Sequence, residues 1–155
     1  MTQHFYRPFH TVPFLFVLLV AFSTNSHAQL TVKHDKTAGK IEVFRADKPT
    51  SVLTQNARPD FRPYLHPIVS PIGDAPYTQY SPGHHKHQTG LYWGITRVNG
   101  RDYFHHPEGT YWKRIASTVL KPETSESDPW VSWQTVYDLL GENGQTVLQE
   151  TQTWI

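Results

Sequence analysis

After residue 28 the chain is cut into short segments by proline, glycine and asparagine, and no segment carries an apolar repeat near 3.6 residues. A helix that packs on a core needs such a stripe. The segments alternate instead. Leu30–His34, Lys40–Arg45 and Ser51–Thr54 read as strands, and Tyr64–Val69 is a short extended piece. Asn99-Gly100 lies between Leu91–Val98 and Arg101–Phe104 and predicts a hairpin, because a type I′ turn needs positive φ at both central positions. Lys113–Leu120 is a further strand. Trp130–Leu140 places Val131, Trp133, Thr135 and Tyr137 on one side, and Gly141–Gly144 turns it back into Gln145–Trp154. The expectation is an all-β, antiparallel β-sandwich. The chain stops at Ile155 within its last strand pattern, so this sandwich is expected to be incomplete, the N-terminal part of a longer protein.

Residues 1–28 are expected to lie outside that domain. Arg7 precedes the apolar run Val12–Phe22, a polar stretch follows, and Ser26-x-Ala28 ends it. This is the layout of a secretory signal peptide cleaved near Ala28. The run is too short for the roughly 20 residues of a membrane helix, and no second run exists. The predicted organisation is a leader over 1–28 and one domain over 29–155, exported to the periplasm or beyond, with no stable membrane span. Export without a single cysteine means that no disulfide helps the core.

Charge narrows the partners. The chain has 14 Lys+Arg and 13 Asp+Glu, and removing the leader with Arg7 balances them. A nucleic-acid partner is therefore not expected. There is no G-x-S-x-G, P-loop, G-x-G-x-x-G or H-E-x-x-H.

The remaining chemistry is histidine. His85 and His87 form a His-x-His pair in the long loop Ser70–Gly90, and residues i and i+2 of an extended segment share a face. His66 lies upstream, and His105-His106 with Glu108 lies downstream. Imidazoles with a carboxylate suit a divalent transition metal, and a neutral imidazole oriented by Asp102 suits acid–base work. The other reading is that histidines in a Gly/Pro loop decorate a solvated surface. Tyr92-Trp93, Tyr103-Phe104 and Tyr111-Trp112 offer flat surface for a sugar ring or fill the core. Arg58, Arg62 and Arg97 are candidate anion clamps or plain surface charges.

The blocks RPYLHPIVSPIG (62–73) and GHHKHQTGLYWGITRVNGRDYFHH (83–106) resemble the bacterial family labelled PmoA-like, also catalogued as a domain of unknown function. The shared positions are Arg62, Tyr64, His66, Pro67, His85, His87, Gly90, Asn99, Gly100 and Asp102. This chain departs at His84, where relatives often carry Asp, and at Gln88, where many carry His. The resemblance implies an exported β-sandwich protein associated with sugar catabolism, and a length greater than this chain's. Its label implies methane oxidation, but that chemistry belongs to a membrane bundle of apolar helices, for which this sequence has no segment. The expectation is a His-lined site that binds or transforms a small-molecule or glycan ligand. His66, His85 and His87 would hold any metal. His85, His87 and Asp102 would carry catalysis, and Arg62, Tyr64, Gln88, Trp93 and Asn99 would contact substrate. The alternative is a non-catalytic sugar-binding or interaction module.

Overall fold

The computed structural model describes residues 29–70 and 72–155, so the expected leader lies outside the described residues. Eight strands form two antiparallel sheets among them. The first runs β1 (Leu30–Asp35), β2 (Lys40–Arg45), β3 (Ser51–Asn56), β4 (Tyr64–Ile68) and β5 (Leu91–Tyr92), each beside the next. The second runs β6 (Trp112–Lys121), β7 (Ser132–Leu140) and β8 (Thr146–Trp154). The all-β expectation holds. No helix among the described residues is long and apolar enough to cross a membrane.

Alternation in β7 explains how the sheets face each other. Trp133, Thr135, Tyr137 and Leu139 are all buried, and Gln134, Val136 and Asp138 between them are only half-buried. One core cluster joins Ile41, Val43 and Leu65 of the first sheet to Val131 and Trp133. A second gathers Tyr103, Trp112, Tyr137 and Leu139. Thr135 lies between them on β7, and Gln55 accepts a hydrogen bond from Trp133 Nε1 at 3.5 Å.

The predicted hairpin at Asn99-Gly100 is corrected in part. The turn forms: Asn99 and Gly100 have φ of 51° and 82°, and Val98 and Arg101 exchange backbone bonds of 3.0 Å. The long strands beside it do not. Pairing stops at Tyr92, where β4 ends its partnership with β5. Arg97 turns left-handed at φ 61°, and Gly94 packs so closely on Phe104 that a Cβ there would lie 3.0 Å from its Cα. Asp102 then bends the chain, its Oδ1 accepting from the backbone N–H of Phe104 and His105 at 2.9 and 3.1 Å. The aromatic and histidine residues after the turn are thereby swung back against the 84–90 loop.

The sheets meet at two seams. At one, β1 approaches β6, and the chain after β6 pairs with β1 through Val32 N–H to Pro122 O at 2.6 Å. At the other, β5 and the residue after it face β8 across a cleft of ≈ 480 Å³.

Candidate functional site

The site is built on a buried cation. Arg62 is fully excluded from solvent, at 0% exposure. Its guanidinium donates to the carbonyl of Phe104, to the carbonyl of His87 at 2.8 Å and to Thr89 Oγ1 at 3.4 Å. It also lies 3.4 Å above the Tyr92 ring centroid. Burial lowers its pKa to about 10, which still leaves it charged at neutral pH. Arg62 therefore ties the 84–90 loop to the 102–106 segment, and it does not face solvent as an anion clamp would.

Those two tied segments carry the histidines. The rings of His87 and His105 lie 4.7 Å apart, His85 is 5.9 Å from His87, and His84 is 4.9 Å from His85. Phe104 packs against both His87 and His105. His105 Nδ1 is 2.7 Å from Asp102 Oδ2. Burial pushes Asp102 up, but the hydrogen bonds from the His105 ring and from the His105 and Phe104 backbone outweigh it, so its pKa lies below the ordinary value. The carboxylate is then an acceptor at neutral pH, so the hydrogen of this bond sits on His105 Nδ1 and leaves Nε2 free of that bond. Burial holds the His87 pKa down, helped by the charges of His105, His85 and Arg62. At neutral pH His87 is uncharged.

An aromatic cleft adjoins this cluster. Tyr92, which Arg62 covers, packs 5.4 Å from Phe104 on one side and lines the cleft on the other, with Leu91, Trp93, Thr151, Gln152, Thr153 and Trp154. Trp93 is 68% exposed, so its indole face is open. Gln152 donates to Glu150 Oε1. Burial raises the Glu150 carboxyl above its ordinary pKa, and Glu150 Oε2, Arg62 Nε and Trp154 Nε1 are buried without a hydrogen-bond partner.

The other expected residues lie elsewhere. His66 is held by Thr78 Oγ1 at 2.8 Å and packs beside Tyr80, and no ring contact joins it to His85 or His87 among the described residues. Tyr64 is buried, and desolvation raises its pKa to about 12. Asn99 lines a separate concavity with Arg101, Glu142 and Asn143. Gln88 closes a turn through its backbone, accepting from Ser81 N–H at 2.6 Å. His106 stacks on Tyr111 and bonds Glu108 at 3.0 Å, apart from His105. Among the described residues no group of three or more His, Asp or Glu is disposed to hold a metal ion.

His105 stood among the candidate histidines, but its pairing with Asp102 was not read, although Asp-x-x-His after a turn lets one carboxylate bond both backbone and ring. For the β8 wall no local signal exists, because Gln152 and Trp154 meet β5 only when the sheets close.

No curated protein and no solved structure matches this chain. Its residues 40–155, which contain β2 through β8 and both halves of the histidine cluster, match the family of unknown function DUF6807, and the chain belongs to that family.

Proposed function

We propose that this is an exported carbohydrate-active protein whose His87–His105–Asp102 cluster does acid–base work beside an aromatic sugar-binding cleft. The carrying observation is the meeting of His87 and His105 at 4.7 Å from two segments that Arg62 pins together. Stacked sugar C–H faces would lie on Trp93 and Tyr92, and Gln152 and the Thr151 and Thr153 hydroxyls would meet polar groups. His105 Nε2 accepts a proton from a ligand hydroxyl or water, and Asp102 holds the imidazolium that forms. The neutral His87 is a second acceptor. Kinship with the PmoA-like proteins, carried by the motif blocks at 62–73 and 83–106, belongs to the same reading.

A divalent metal on His66, His85 and His87 is the second form of this proposal. The 5.9 Å separation of His85 and His87 favours it, and the placement of His66 beside Thr78 weighs against it. Elemental analysis of the purified protein distinguishes the two, because stoichiometric metal lost in His85→Ala supports the second.

The test is a panel of mono- and oligosaccharides, scored for binding and for product. The account expects binding that weakens at least about tenfold in Trp93→Ala, a loss of about 1.4 kcal/mol or more. His105→Ala retains binding and loses product. Loss should also follow acidification below His87's ordinary value of 6.5, as His87 gains its proton. Binding without product in the parent protein leaves the sugar-binding module. No binding to any sugar overturns both.

A further inference from the structure

The opposite seam carries different chemistry. A concavity of ≈ 290 Å³ opens where β1 and β6 diverge, lined by His34, Lys36, Arg114, Ser117 and Thr118 beside Ile115 and Ala116. Its charged lining is wholly basic. Asp35, the nearest acid in sequence, spends Oδ1 on the backbone of Thr37 and Ala38 at 2.9 and 2.8 Å. Neither Lys36 nor Arg114 has a carboxylate partner among the described residues.

The cations are held rather than loose. Arg114 donates one guanidinium nitrogen to the Ala57 carbonyl, and its backbone N–H bonds Pro59 O at 2.8 Å. His34 Nε2 lies 3.1 Å from Ser117 Oγ. The β6–β7 ladder slips at Ile115, with Arg114 opposite Tyr137 and Ala116 opposite Val136. Such a bulge re-aims side chains on its strand. Like charges kept together repel one another, and an anion between them relieves that repulsion. A guanidinium fork with an ammonium and a hydroxyl matches a tetrahedral oxyanion.

We infer that this seam is a binding site for a sulfate or phosphate group, free or borne on a larger molecule, held by Arg114, Lys36 and His34 with the hydroxyl of Ser117. The site lies across the sandwich from the histidine cluster and stands independently of it. Burial, then the charges of Lys36 and Arg114, keep the His34 pKa low against the pull of Asp35. A bound oxyanion cancels the two cationic effects.

The His34 ring signals in the full chain provide the readout by NMR. Inorganic sulfate and phosphate should raise the His34 titration midpoint saturably, where chloride at equal ionic strength does not. Lys36→Ala should weaken this by about two- to fivefold, and so should Arg114→Lys, which keeps charge and loses the fork. Glucose 6-sulfate binding more tightly than sulfate identifies a borne group, and equal binding identifies the free ion. A response to sulfate no larger than to chloride, or one untouched by Lys36→Ala in a folded protein, overturns the inference.

Discussion

Asp102 divides its two oxygens between backbone and ring, and that division can be taken apart by substitution. Oδ1 caps two N–H groups of its own turn, and Oδ2 takes His105 Nδ1. Asp102→Asn keeps an oxygen for the caps, so stability should change by less than about 1 kcal/mol. The ring loses its charged acceptor, and the Nε2–H tautomer of His105 should rise in ¹⁵N NMR. An unchanged tautomer would show that the carboxylate does not set the ring. Asp102→Ala removes the caps too and should cost about 1–2 kcal/mol in urea denaturation. The exposed pair itself adds little stability, so its value is orientation. This arrangement was half legible: Asp102 was expected to orient a histidine, but which one depends on the turn it makes. Arg62 was legible as important and not as buried, since nothing local separates a core guanidinium from a surface one.

Strands were readable where apolar and polar residues alternate between turn signals. β2 and β7 fall close to their expected bounds because one face of each fills the core, and β8, an edge strand, is fixed by the Gly141–Gly144 turn and its ladder to β7. β5 shrank to two residues because Gly94, Arg97 and the Asp102 turn each favour backbone that leaves the ladder. Gly90, where the histidine loop enters β5, has φ +99°, and a Cβ there would sit 2.3 Å from Leu65 O. Gly90→Ala should therefore destabilise by about 1–3 kcal/mol and shift the His87 resonances, whereas unaltered stability would mean the loop does not approach β4 so closely. On β8, Glu150 offers a test of sign. Its folded pKa lies above 4.5, so the native state holds more protons than the unfolded chain. Its contribution is present below pH 4.5 and is lost as pH rises through the folded value. Glu150→Gln should remove that decline, a slope of at most about 1.4 kcal/mol per pH unit in urea denaturation between acid and neutral pH. Identical slopes in the two proteins would place Glu150 in solvent.

Across the molecule, the sandwich leaves one seam aromatic and the other basic. Their contents come from segments far apart in the chain, which is why neither was visible as a unit in sequence. The histidine cluster depends on the same closure, with Arg62 bonding the carbonyls of His87 and Phe104 from beneath. The most direct measurement is a proton–proton NOE experiment on the full chain with assigned histidine rings. A cross-peak between the His87 and His105 rings is predicted at their 4.7 Å separation, beside a control peak between His105 and Phe104, whose rings are 4.9 Å apart. The control peak without the His87–His105 peak would contradict the site.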